Sequence, residues 1–174
     1  MEPLIHFAIP FAILTMLGIR PKVAIPVSLL ALVPDMDVFF GIHKWFLHSI
    51  IILIPLGIGL SIVFLLRRTG LRNYAPLGLL AMLSHPVLDV FWNYTPILWP
   101  VYGESIWINL GINLQAGSSL GIGHNVGVLT QPTSFEAFTT LDAPLVTGAG
   151  LIIFVLLVIL PVLLMEIRGR RSWL

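Results

Sequence analysis

The sequence contains no cysteine. That absence excludes disulfides, thiolate metal sites and thiol nucleophiles, and leaves the compartment open. Charge is almost as scarce. Only 10% of the 174 residues are Asp, Glu, Lys or Arg, against about 25% in soluble domains. From Asn73 to Ile167 there is no Lys or Arg. No basic block with interleaved aromatics exists, so nucleic acid is not an expected partner, and a net charge of +1 gives no reason to expect one. What is abundant is apolar: 57% of the residues are hydrophobic, a membrane composition. The first apolar run opens after Glu2 without a basic leader, which argues against a cleavable signal.

Leu4–Ile19, Ser49–Leu66, Ala75–Trp92 and Pro144–Met165 each approach the roughly 20 residues a spanning helix needs. Val23–Pro34, carried on by "DVFF" to Phe40, reads as another span, broken or ended near Pro34. The expected fold is therefore an all-α integral membrane protein of about five transmembrane helices, one domain over residues 1–174. Eight of the nine basic residues follow the first, third and fifth helices; Lys44 is the exception. The positive-inside rule then places the N-terminus outside the cell membrane and the C-terminus in the cytoplasm.

An outer-face cap is expected over residues 93–143. In "ESIWINLGINLQ" the residues Ile106, Ile108, Leu110, Ile112 and Leu114 alternate with polar or small ones, the period of a half-buried strand. "AGSS" reads as a turn, and Leu120, Ile122, Val126 and Val128 continue the pattern, so a β-hairpin is predicted. His124 shares its apolar face and reads as packing. "TSFE", with Thr133 and Glu136, is a capping-box pattern that predicts a short helix. Asp142 reads as the N-cap of the last helix.

Against this background the stretch "PDMDVFFGIHKWFLHS" concentrates ionisable groups. His6, Asp35, His85 and Asp89 all fall about 20–25 Å above the basic anchors when counted along helices, with His48 slightly higher. Charged groups at such depth are costly unless paired or ligated, so a shared site is expected. His85 and Asp89, spaced i, i+4, lie on one helical face. Asp35 and Asp37, read as an extended turn, point the same way. His6, Asp35, Asp37, His48, His85 and Asp89 are the candidate metal ligands, too many for one zinc, so two divalent ions are expected: Zn²⁺ first, with Mn²⁺ or Fe²⁺ also suited. His43 is a candidate proton carrier and Lys44 a candidate phosphate contact. Ser49 and Ser84 lack an activating base.

His6, "PDMD", "HKWFLHS", "SHPVLD" and "ILWP" in this order resemble the membrane-bound metal-dependent hydrolases of the YdjM type, over His6 to about Pro100. That family's second histidine motif carries Arg, Gly and Thr where Lys44, Trp45 and Leu47 stand here. The resemblance implies a similarity to zinc-dependent phospholipases C, hence hydrolysis of a phosphoester, with a membrane lipid or lipid-linked substrate favoured by the depth of the site. The alternatives are a metal-ion or proton transporter, since intramembrane His and Asp also mark ion paths, or a scaffold with a structural metal. Between Ala12 and Ile19 and between Ile54 and Leu66, only Thr15 and Ser61 offer polar groups to such a path.

Overall fold

The computed structural model describes residues 2–66, 74–116, 120–140 and 144–171. Within them lie helices α1 (Pro3–Met16), α2 (Pro21–Leu29), α3 (Ile50–Leu66), α4 (Ala75–Val90) and α5 (Gly148–Arg171), and strands β1 (Glu104–Ala116) and β2 (Leu120–Pro132). Three 3₁₀ turns, Leu30–Leu32, Pro34–Phe40 and Phe46–His48, join α2 to α3. Prolines set the helix starts: Pro3, Pro21 and Pro76 occupy the first two positions of α1, α2 and α4, where a missing N–H costs nothing. Gly18 ends α1. At φ +87° it adopts the left-handed conformation, its N–H bonding to the Thr15 carbonyl and that of Ile19 to Leu14, both at 3.0 Å.

α1 and α5 run parallel. Glu2 accepts the backbone N–H of Thr147 at 2.9 Å together with the Thr147 hydroxyl, which ties the two N-terminal ends. Further along, Phe7 meets Phe154, and Val158 and Val162 pack on a core of Phe11, Leu14, Ala24, Val27, Ala31 and Ala81. A smaller core of Leu47, Leu53 and Met82 lies between α3 and α4. These helices approach closely at Gly57, where a Cβ would collide with Leu79 and press on Met82.

Five spanning helices do not form. Among the described residues one helix, Gly148–Ile167 within α5, is long and apolar enough to cross a membrane alone. Pro21–Leu32 and Pro34–Phe40, bent by 47°, reach that length only if taken as one broken span. α1, α3 and α4 are shorter apolar helices; the 16 residues of α4 cover about 24 Å, less than the ~30 Å of hydrocarbon. The apolar runs overstate helix length because they continue through the caps. Leu17 and Ile19 lie past the end of α1, Phe91 and Trp92 past α4, and Pro144–Val146 before α5. Apolarity reports which side chains tolerate lipid, not where the backbone stays helical.

The hairpin forms where the alternation put it, antiparallel, with Leu110 opposite Val126, Ile112 opposite His124 and Leu114 opposite Ile122. Its base is joined to the helical body by a bridge between Thr95 and Ile106. Further out the apolar face is open, with Ile112 83% and Ile122 75% exposed. The remaining turn residues, 117–119, and Asp142 lie outside the described residues. No helix opens at Thr133. Its N–H goes to the Gly103 carbonyl and its hydroxyl pairs with that of Ser105, both at 3.0 Å, so the capping group is drawn into the base of the hairpin.

The α3–α4 contact can be tested directly. Gly57→Leu should destabilise the protein by about 1–3 kcal/mol through overpacking. Gly59→Leu, with nothing within 4 Å of its Cβ position, should leave the melting temperature in detergent unchanged.

Candidate metal centre

Four elements converge on one cluster. α1 brings His6, the Pro34–Phe40 turn brings Asp35 and Asp37, the Phe46–His48 turn ends on His48, and α4 carries His85 and Asp89. His6, Asp37, His48 and His85 are fully buried, and Asp89 is 1% exposed. The proline-started 3₁₀ turn decides how the two aspartates part. With three residues per turn, positions i and i+2 diverge, so Asp35 and Asp37 do not share a face as an extended segment would have them. They reach opposite sides of the His48 ring.

Acceptors fix both central imidazoles. The Nδ1–H of His85 donates to the Ala31 carbonyl at 2.8 Å; a carbonyl only accepts, so Nε2 is left with its lone pair. His48 donates from Nδ1 to Asp37 Oδ2 at 2.9 Å. That oxygen also accepts the Trp45 backbone N–H at 2.7 Å. The two Nε2 atoms then face each other at 3.2 Å. Two lone pairs at this distance repel unless a positive charge stands between them.

Carboxylates surround that point. Asp35 Oδ1 lies 3.3 Å from His85 Nε2 and 3.9 Å from His48 Nε2. Asp89 Oδ2 lies 3.7 Å from His48 Nε2 and 3.9 Å from His85 Nε2. A tetrahedral ion with bonds of about 2.0–2.1 Å separates its ligands by roughly 3.3–3.4 Å. Asp35, His48 and His85, with separations of 3.2, 3.3 and 3.9 Å, therefore fit three ligand positions of a divalent cation, and Asp89 Oδ2 borders both imidazole tips. Asp35 Oδ2 is buried and has no hydrogen-bond partner among the described residues, a further acceptor available to a cation. Two overlapping groups have ligand atoms within 4.8 Å of one another: Asp35, His48 and His85, and His6, His85 and Asp89.

The remaining candidates take other places. Asp37 sits behind His48. His6 donates from Nε2 to the far oxygen of Asp89, Oδ1, at 3.1 Å, and its ring stacks on His85 with centroids 3.7 Å apart. His43 lies on the rim: its side chain is 33% exposed, with Nδ1 3.9 Å from Asp37 Oδ1. Partial burial holds its imidazole below the ordinary range, and neighbouring His48 adds in the same direction. The Lys44 ammonium does not face outward. It is 3.1 Å from Asp89 Oδ2 and donates to Thr95 Oγ1 at 3.1 Å and the Tyr94 carbonyl at 3.3 Å. His124 is on the hairpin and joins neither metal-competent group. Ser84 spends its hydroxyl on the Ala81 carbonyl of its own helix and Ser49 on the Trp99 carbonyl.

Other contributors carry no chemical signature in the sequence. Ala31 acts through a carbonyl that any residue would supply. "ILWP" works through its backbone: the Ile97 carbonyl accepts the Ile50 N–H at 3.0 Å and that of Trp99 accepts the Ser49 hydroxyl, holding the start of α3 directly after His48. Thr95 is the one readable addition, a polar residue directly before a proline and the apolar "ILW", and it is fully buried.

A helical body with much exposed aliphatic surface encloses a buried His and Asp cluster whose geometry could hold a metal ion. The chain belongs to the YdjM inner membrane protein family, whose model matches residues 1–168. No curated protein and no solved structure matches it significantly.

If the cluster is a metal centre, His85→Ala should abolish binding of a divalent ion. Asp37→Asn should weaken it by about 10- to 100-fold, because the carboxylate that orients His48 is lost while all four nearest donors remain. Competition with a chromophoric chelator measures both.

Proposed function

We propose that the protein is a membrane-embedded, metal-dependent hydrolase that cleaves a phosphoester of a lipid-like substrate. The observation that carries this reading is the one-sided burial of the donor set. His48, His85 and Asp89 are sealed, whereas the side chain of Asp35 is 24% exposed and that of His43 33%. A purely structural metal site is closed all round, while a catalytic one keeps a side open to substrate. Two imidazoles with carboxylates suit Zn²⁺. When bound, such an ion supplies Lewis-acid polarisation of a phosphoryl oxygen and lowers the pKa of water.

The chain's own residues do the rest. His48, His85, Asp35 and Asp89 hold the cation, and Ala31 and Asp37 keep the imidazoles aimed. His43, neutral because its pKa is depressed, accepts a proton at the open rim and returns it to the leaving oxygen. Its Nδ1 is turned toward Asp37. A substrate that diffuses laterally in the leaflet reaches a cluster placed among apolar helices without crossing water.

The parallel pair α1 and α5 supports an orientation. Arg20 and Lys22 follow α1, and Arg168, Arg170 and Arg171 close α5, so both basic groups belong to one end and His6 to the other. The positive-inside rule makes the basic end cytoplasmic and turns the cluster toward the outer leaflet.

Two experiments follow. Protein reconstituted in phospholipid vesicles should release phosphorylated head group, stop on chelation and resume with Zn²⁺. His43→Ala should cut turnover by about 10²- to 10⁴-fold with metal content retained. Saturable metal uptake into the vesicles without release would establish a transporter instead. For orientation, a cysteine at Glu136 should react with an impermeant reagent from the periplasmic side, and one at Leu17 should not; the natural chain has no thiol to confuse the result.

A further inference from the structure

Three carboxylates, Asp35, Asp37 and Asp89, meet in the cluster, and two overlapping ligand groups invite two metal ions. We propose that only one divalent ion binds, and that the Lys44 ammonium is the second cation, built into the chain. This rests on the metal-centre reading above and specifies it.

The overlap between the two groups is His85, and His85 has one nitrogen to give. Its Nδ1 is committed to the Ala31 carbonyl at 2.8 Å. A single Nε2 lone pair ligates a single ion, so the groups are alternatives. Nε2 faces His48 at 3.2 Å and Asp35 at 3.3 Å, which selects that side.

Asp89 Oδ2 also borders the selected position, 3.7 Å from His48 Nε2 and 3.9 Å from His85 Nε2, while the positive or donor partners of its two oxygens occupy the place of a second ion. Oδ1 accepts from His6 at 3.1 Å, and Oδ2 lies 3.1 Å from Lys44 Nζ. The ammonium is fully engaged as well. Its three protons are matched by Asp89 Oδ2, Thr95 Oγ1 and the Tyr94 carbonyl, and its side chain is 15% exposed. The backbone is shaped to bring it there. Gly41 at φ +72° and Lys44 at φ +57° both take the left-handed conformation, which only glycine adopts freely, in the loop that brings the ammonium to the Tyr94 carbonyl and Thr95 Oγ1. Charge agrees with this arrangement. Three carboxylates against one ammonium leave two negative charges, which one divalent ion neutralises and two would overshoot. Lys44 is thus a positioning residue that holds Asp89, and not a phosphate ligand.

Full-length protein in detergent, stripped by chelator and loaded with Mn²⁺ alone, reports the outcome. The wild type should take up one equivalent by elemental analysis and give the electron paramagnetic resonance spectrum of an isolated ion. Two equivalents with a spin-coupled spectrum would overturn the proposal and leave the metal centre standing. No uptake would remove the metal centre itself. Lys44→Met should bind Mn²⁺ at least about tenfold more tightly, because a competing positive charge beside a ligand oxygen is gone. A lysine with a merely structural role would do the opposite, loosening the cluster and weakening binding, so unchanged or weaker affinity in a folded Lys44→Met overturns the assignment. Lys44→Arg, which keeps the charge, should retain one equivalent at near wild-type affinity, and a second equivalent there would also overturn it.

Discussion

Two imidazole nitrogens that cannot both be satisfied by each other are the constraint around which this protein is organised. His48 and His85 are aimed tip to tip by a carboxylate and a carbonyl behind them, and relaxing either ring would orphan a buried donor. Holding that arrangement requires Ala31 beside α4, Asp37 beyond His48, and the start of α3 fixed by the Ile97 and Trp99 carbonyls. The short 3₁₀ turns between α2 and α3 meet this need better than a continuous helix. A straight helix through residues 30–48 would carry Asp35 and Asp37 onto different faces and set His48 about 20 Å from Asp35 along its axis.

The apolar packing serves the same end. The core of Phe11, Leu14, Ala24, Val27, Ala31 and Ala81 uses three alanines where helices meet, so backbones come close and a carbonyl such as that of Ala31 can reach a side chain on a neighbouring helix. Close approach through small residues is the usual means of association where lipid removes the hydrophobic drive between helices. Much of the outer surface of α3 and α5 remains aliphatic and exposed, including Ile58, Ile62, Ile152 and Leu156, as a lipid-facing surface requires.

The sequence made some of this legible and hid the rest for identifiable reasons. The i, i+4 spacing of His85 and Asp89 and the period-2 pattern of the hairpin depend only on local geometry, and both are readable. His6, Asp35, His48, His85 and Asp89 do come together, as the cost of unpaired charge among apolar segments leads one to expect, although the five spans along which their depth is counted do not form. The break at Pro34 was readable too, since a proline interrupts a helix; helix length elsewhere was not, because Gly18 stops α1 and α4 ends at Val90 while apolar side chains continue. The split between Asp35 and Asp37 was not, because an extended turn and a 3₁₀ turn share the same P-D signal. Lys44 reads from sequence as a phosphate contact or an interfacial lysine, because nothing local announces that a left-handed loop turns it inward. "TSFE" shows the same limit: a good capping pattern lost to a neighbouring strand that offered Thr133 partners first.

Thr95 belongs to two structures at once. Its backbone closes the base of the β-ribbon through Ile106, with both hydrogen bonds at 2.9 Å, and its hydroxyl receives Lys44. Among the described residues, pairing beyond Leu110 carries largely exposed side chains such as Ile112 and Ile122 and adds no ligand to the centre, so the ribbon can fray toward its base as a local opening of low free energy. Fraying that passes Ile106 is a different event. It frees Thr95, then the ammonium, then one oxygen of Asp89, and so belongs to the same cooperative unit as the helices. The ribbon therefore divides within one pair of strands into an outer part that breathes independently and an inner part that opens only when the interior does.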